Sequence, residues 1–475
     1  MAHRRLGSAW IAVTLGILWG CATVPHPVPL APAEPAAASL AAAPAPPAAP
    51  AAAQGGAVAP VPPPPEPIRE VAELTLGAVG DVLMHEAVKQ SAAAHAADAP
   101  DAGYSWLFAP VADLLSANDL GFANLETPIA PQASRGSRAF VFNAPPVVVS
   151  ALQRAGVKLV SVANNHAFDQ GRAGFEETLR SLDAAGMAYV GAGPAPHPAG
   201  PLRLERNGLA VSFLGYTYGL NQEGNDCPPR KAEAQACLKA AEIDQAAMVE
   251  DVRAAVAGAD AVVVSVHWGV EYEQQPRPAQ VELAHRLADA GALVVLGHHP
   301  HVLQPVELYR RADGRTAVIA YSLGNFVSNQ SRRYVAGVTP DAVAATRDGA
   351  LLRVKLARRD YGRGVVRVEV AGADFLPLWT ENDTVEIDAR KEPRRRPDIR
   401  VVAVDRALAE VRAELSSLPD PLPADEVERW VRLRQREELY LARRAAVARL
   451  LGEDLLRLLG PEELSPASAA PPPPQ

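Results

Sequence analysis

Three of the chain's eleven histidines, His298, His299 and His301, crowd into "LVVLGHHPHVLQP" (293–305), directly behind an apolar run. An imidazole buried without a partner gives up its hydration for nothing. The three therefore either face solvent on a loop or converge on something that imidazole nitrogen binds. Five other apolar runs also end in chemistry-bearing residues: Asp81, Glu126, the trio Asn164, Asn165 and His166, then His267, and Asn325. Carboxylates and amide oxygens are hard ligands, whereas imidazoles suit Mn, Zn or Fe. So many donors lead us to expect one or two divalent ions. A pair would lie about 3.5–4 Å apart, lower the pKa of a bridging water and clamp phosphate oxygens.

Each residue taken alone also has a purely structural reading. Asp81 after Gly80 would cap a helix starting near Leu83. Glu126 in "NLETP" would sit on an exposed turn, and Asn164-Asn165 would be ordinary turn residues. His267 would be a satisfied core histidine, and His85 is ambiguous. His26, His95, His197 and His285 lie on helices or loops without partners and read as surface residues. Extended backbone sends His299 and His301 one way and His298 the other. Two of the three should ligate, with the third supporting them or touching substrate.

The elements that must position these groups share one grammar. "ELTLGAVGD" (73–81), "DLGFANLE" (119–126), "VKLVSVANNH" (157–166), "DAVVVSVHWG" (260–269), "ALVVLGHHPH" (292–301) and "TAVIAYSLGNF" (316–326) are runs of the kind buried on both sheet faces. Helical patterns at 108–116, 147–155, 174–185, 243–256 and 279–290 alternate with them. Such alternation implies α/β layers, with ligands beyond the carboxyl ends of the strands. Hairpins at 202–218, turning at Asn207-Gly208, and at 350–379, turning at Tyr361-Gly362, imply a second sheet and a sandwich with helices outside. Beyond about 400, Val404, Leu408, Val411, Leu415 and Leu418 form a helical stripe, so 400–460 reads as a helical appendage.

The bulk numbers bound the function classes. A chain of 475 residues with a formal charge of -8 lacks the basic face that nonspecific nucleic-acid binding needs. Arg4 and Arg5, the apolar "AWIAVTLGILWG" (9–20) and Cys21 read as an export signal (1–21). Leu18–Cys21 is similar to a lipobox, which would lipidate Cys21 and hold the chain to a membrane. The Pro/Ala-rich stretch 22–71 reads as an extended tether, and 461–475 as a disordered tail. In an oxidising compartment Cys227 and Cys237, which bracket a short loop, could pair.

"GAVGDVLMH", "NLETPI", "SVANNHAFDQG", "SVHWGVEYEQQP", "LGHHPHVLQPVE" and "AYSLGNF" resemble, in order and spacing, the CapA family of poly-γ-glutamate capsule synthesis proteins. The resemblance covers about 74–330, within a domain expected over 72–385. It implies a divergent calcineurin-like metallophosphatase fold, a four-layer α/β/β/α sandwich. "NNHAFDQG" (164–171) is similar to the Asn-His-Glu-Phe-Asp-x-Gly segment of 5′-nucleotidases, which implies a metal ligand at Asn165 and leaving-group stabilisation at His166. His267 matches an isolated metal histidine, and His299 and His301 match a final His-x-His.

The implied metal set is Asp81, Glu126, Asn165, His267, His299 and His301. His166 and Asp169 form the catalytic set; Asn164, His298, Glu271 and Asn325 form the substrate-binding set. The sequence departs from the metallophosphatase pattern in three places. Leu83 replaces the histidine of Asp-x-His, Glu126 replaces a bridging Asp, and "GHHPH" is one residue longer than Gly-His-x-His. The implied role is a metal-dependent hydrolase or transferase in the cell envelope. Its partners would be the capsule polymer or its synthesis machinery, and no nucleic acid. The alternatives are a non-catalytic scaffold of the same fold and a secreted 5′-nucleotidase-like phosphoesterase.

Overall fold

The computed structural model describes residues 67–97, 101–136, 138–227, 237–392 and 394–464. The expected signal (1–21), the tether as far as residue 66 and the tail from 465 lie outside the described residues. Among the described residues no helix is long and apolar enough to cross a membrane.

The first sheet is centred on β1 (Arg69–Val82). On one side run parallel strands β2 (Leu120–Asn124), β3 (Val157–Ser161) and β4 (Ala188–Val190). On the other, β14 (Asp348–Asp360), β15 (Val366–Asn382) and β16 (Ile399–Ala403) follow antiparallel. The short β13 (Asn325–Val327) pairs parallel with the end of β1. In the second sheet β7 (Leu209–Thr217), β9 (Ala261–His267), β10 (Val294–His298) and β12 (Thr316–Leu323) are parallel. Antiparallel β6 (Leu202–Arg206) and β11 (Leu303–Arg310) form its edges. A small pair, β5 (Ala192–Pro194) and β8 (Leu238–Ala240), lies apart from both.

The apolar runs alternate as a pleated strand requires, but both faces are covered. Ala261 and Val263 of β9 join Leu74, Leu76, Phe122, Phe213 and Leu296 in one core cluster shared by the two sheets. Phe122 and Phe213, one from each sheet, stack there at 6.5 Å. Val262, Val264 and Val266 instead pack on helices α4 (Gln245–Val256) and α5 (Pro278–Ala290). Outward residues of the first sheet, such as Val157 and Val160, pack on α1 (Glu86–Ala94), α2 (Val147–Arg154) and α3 (Gly171–Ala185). Local signals set the helix ends. The Asp244 carboxylate accepts from the Ala246 and Ala247 N–H groups, and α3 stops at Gly186 with φ +64°. The fold is mixed α/β.

Both hairpins are present. Asn207 (φ +51°) and Gly208 (φ +75°) make the left-handed pair that a two-residue turn of matching twist needs. Cys227 and Cys237 are bonded, with Cα atoms 5.8 Å apart.

Three boundaries differ from the sequence reading. β1 starts at Arg69, inside the stretch assigned to the tether, because Arg69 and Glu70 pair with Asp360 and Arg359. The first sheet runs past 385, since β16 zips onto Leu378–Asn382. Pro461–Leu464, assigned to the tail, forms a helical turn. Two helices follow β16, α6 (Val404–Ser416) and α7 (Val427–Leu451). The stripe Val404, Leu408 and Val411 is buried against Trp379, Leu433 and Tyr440.

Candidate metal centre

Strand register brings the chemistry-bearing ends into line. Asp81, near the end of β1, pairs with Asn124 of β2 and Asn325 of β13. His267, ending β9, pairs with His298, ending β10. Glu126 follows β2, Asn164–His166 follow β3, and His299–His301 follow β10. The two rows belong to different sheets and meet across the gap between them. Asp81 lies 3.1 Å from His301 Nδ1 and 3.2 Å from His298 Nδ1, and Glu126 Oε1 lies 3.5 Å from His267 Nε2. Asp81 is therefore no helix cap; α1 begins only at Glu86.

Two groupings within this knot offer ligand atoms close enough to share a cation. One is Asp81, Glu126 and His267; the other is Glu126, His299 and His301. Glu126 belongs to both. Its Oε1 is buried without a hydrogen-bond partner, as is His299 Nδ1. His301 Nδ1 lies 3.1 Å from Asp81 and 3.2 Å from Asn325 Oδ1, so its N–H is anchored there. That leaves the Nε2 lone pair 3.8 Å from Glu126 Oε1. The gap is too long for a hydrogen bond, yet matches one cation with nitrogen and oxygen ligands at about 2.0–2.2 Å each. The donors present therefore fit a divalent metal.

Electrostatics agree. Burial, then the charges of Asp81, Glu271 and Asp169, push the Glu126 carboxyl well above its usual range. Burial also opposes the charge on Asp81, but His298 and His301 more than offset it and hold the carboxyl well below normal. Burial first, and neighbouring histidines second, hold His267 well below the usual imidazole value and His299 at about 4. Burial so favours neutral His267 and His299, the form in which imidazole ligates, and a cation would offset the repulsion that opposes the Glu126 charge. His299 and His301 also hold left-handed backbone, φ +98° and +56°. Strain of this kind in bulky residues persists where the surroundings enforce it, commonly at functional sites.

Beside the cluster, Asn165 Oδ1 lies 2.9 Å from His267 Nε2. His166 Nδ1 lies 2.8 Å from Asp169 Oδ2, which also accepts from the Phe142 N–H at 2.6 Å. Asp169 therefore stands behind His166 and orients it, rather than reaching a substrate itself.

Three of the four expected substrate contacts are elsewhere engaged. His298 is fully buried against Phe122 and supports Asp81. The Asn325 amide donates to the His301 and Thr346 carbonyls and to Gln330, so it positions the His301 loop. Asn164 is buried and donates to the Leu125 carbonyl, tying β3 to β2. Glu271 alone is exposed, at the rim.

Sequence reasoning missed several members. Asn124 links the knot, donating to Asp81 at 2.9 Å and Glu126 at 3.3 Å and lying 3.3 Å from His267 Nδ1. Its spacing of two from Glu126, which puts both on one strand face, was the available signal. His85 lies against Phe142, whose ring also packs on His166, and burial lowers it to about 4. Two half-exposed tyrosines line the mouth. Tyr218 is 4.6 Å from the His299 ring, and Tyr272 (φ +66°) is 6.3 Å from His301. No periodicity singles these out. His285 and His95 lie away from the site, stacked on Tyr309 and Trp106.

Comparison with known proteins decides the family. Residues 75–330 match the family described as bacterial capsule synthesis protein PGA_cap. The chain belongs to this family. A capsule biosynthesis protein CapA of Bacillus anthracis is 31% identical over 304 residues, 63% of this chain and 67% of that protein. A PGA biosynthesis protein CapA of Bacillus subtilis (strain 168) is 31% identical over 310 residues, 64% of this chain and 74% of that protein. A probable polyglutamine synthesis accessory protein of Mycobacterium tuberculosis is 30% identical over 205 residues, 41% of this chain and 53% of that protein. Every member of the knot lies within the family match.

Proposed function

We propose that this chain is a metal-dependent hydrolase or transferase acting on an ester- or amide-type bond during production of a capsule polymer, poly-γ-glutamate or a related one. The observation that carries this is the orphaned Glu126 Oε1, buried between His267 Nε2 and His301 Nε2 at 3.5 and 3.8 Å. The names borne by its relatives support the polymer class and a place in the cell envelope. A lipid on Cys21 and the tether would hold the catalytic domain off the membrane. The two sheets with a shared core and helices on their outer faces support the four-layer α/β/β/α arrangement.

Asp81, Glu126, Asn165, His267, His299 and His301 would hold one or two ions, with Glu126 common to both. Bound there, a metal would activate water at neutral pH and offset charge on the scissile group. His166 does the proton work. Asp169 takes the Nδ1 proton in a hydrogen bond, fixes the tautomer and stabilises the imidazolium, so that Nε2 can give a proton to the departing oxygen or nitrogen. Asn221 Nδ2 lies 3.4 Å from that Nε2, so a leaving group would have to displace this contact to reach it.

The test is protein purified with Mn and assayed for metal content and for turnover of γ-glutamyl oligomers. Stoichiometric Mn, lost in His267→Ala/His299→Ala, together with turnover lost in His166→Ala at full metal content, is the expected result. Metal-free protein of normal stability would defeat the reading. Capsule production restored by His166→Ala would instead favour a scaffold.

A further inference from the structure

A second site lies outside the family match, where α6, α7 and the stretch 383–400 close over β15 and β16. Between them is an open cavity of about 450 Å³ lined by seven arginines and five carboxylates. In a chain of net charge -8 this is a local excess of positive charge. Its floor is Arg347, only 6% exposed, with its guanidinium 4.3 Å over the Trp379 ring. Among the described residues its one hydrogen bond is Nε to the Thr380 carbonyl, at 2.8 Å. A guanidinium carries five N–H donors, so with Nε spent on Thr380 the two Nη groups are left open to the cavity. Burial brings it down to about 10.

Glu381, Glu386 and Asp348 all favour its charge, but no carboxylate of a described residue lies within ion-pair distance of it. Glu381 is taken by Arg400 Nε at 2.7 Å, Arg436 Nη2 at 3.1 Å and the Tyr440 hydroxyl. Although burial opposes its charge, Arg400 and Arg436 hold it below the usual carboxylate range. The rim is also incompletely paired. Arg390 has no carboxylate of a described residue within ion-pair distance, and Arg432 pairs only with Glu428, one turn earlier on its own helix. A guanidinium with no direct ion-pair partner is open to an anion, and its planar fork donates to two parallel oxygens.

We propose that this cavity binds the oxyanion groups, carboxylate or phosphate, of an acidic ligand. The ligand enters past Arg390 and Arg432 and is anchored bidentately on Arg347. The site rests on none of the metal-centre residues, and stands or falls apart from the proposed reaction.

The test uses the full chain and two probes, hexaglutamate and tripolyphosphate, titrated by calorimetry at low and raised salt. The double variant Arg390→Glu/Arg432→Glu, exposed at both positions, should keep its unfolding temperature and bind about tenfold or more weakly. Arg347→Lys keeps the charge and loses the fork, and should weaken binding by a similar factor while blunting its salt dependence little. The probe that binds identifies the source of the oxyanion. His267→Ala/His299→Ala should bind as wild type does. No saturable binding of either probe at millimolar concentration, unchanged affinity in the rim variant, or loss in the metal-centre variant would each overturn the proposal.

Discussion

Glu126→Gln separates a cation site from an ordinary buried polar cluster. The substitution keeps shape and removes only the capacity for charge. Burial and neighbouring acids push the Glu126 carboxyl well upward, which favours its uncharged form in the metal-free protein. The amide should therefore cost the metal-free protein little, within about 1 kcal/mol as volume-conserving exchanges do. With metal the outcome is different, since Glu126 belongs to both ligand groupings. An ion present at 100 times its dissociation constant adds about 2.7 kcal/mol to stability. Unfolding entropy of about 2.1 cal/mol/K per residue over roughly 400 residues gives about 0.8 kcal/mol per degree. Wild type should thus gain about 3 °C for one ion and 6–7 °C for two. His299→Ala, which touches one grouping, should keep part of the gain, and Glu126→Gln should lose all of it. The assay is thermal unfolding of chelator-stripped protein against added Mn, with bound metal counted in parallel. If Glu126→Gln takes up as much metal and shifts as far as wild type, the shared-acid argument is wrong.

Three further outcomes follow from the structure. Asp169→Asn should slow turnover by roughly 10²–10⁴-fold with metal content unchanged, because the carboxylate that orients His166 is lost while the metal ligands are untouched. Burial pushes the Asp348 carboxyl up to about 7 against the pull of Arg443 and Arg347. A value raised on folding means its contribution is complete below about pH 4 and is lost as pH rises through 7. Asp348→Asn should then gain on wild type by up to about 4 kcal/mol between pH 4 and 8 in urea unfolding, and a difference flat in pH would refute this. Cys227→Ala/Cys237→Ala should lose about 2.5–3 kcal/mol in the same assay, the chain-entropy value for so short a loop.

The layout of the site was legible where one strand carries its own signal. Runs buried on both faces and ending in Asp81, His267 or His299 announce themselves, because apolar continuity and a terminal ligand are both local facts. The ranges of α4 and α5 came through for the same reason, set by helical periodicity and by Asp244 or Pro278 at their starts. What failed was what depends on pairing. Residues 400–403, placed in the helical appendage by the sequence reading, belong to β16 because Leu378–Asn382 offers an unfilled edge.

The same limit explains the misassigned histidine and asparagines. Alternation, which set His298 against His299 and His301, does not hold here: β10 ends at His298, the next histidines take left-handed backbone, and His298 and His301 both reach Asp81 in the space between the two sheets. Asn124 and Asn325 are unremarkable along the chain. They matter because each stands beside Asp81 in register, one on either side, and each spends its amide on holding a ligand in place. A ligand set can therefore be read from strand ends one at a time. The residues that orient it belong to neighbours in the sheet, and the sheet order that makes them neighbours, β13 and β2 flanking β1, is set by packing over distances that no local pattern spans.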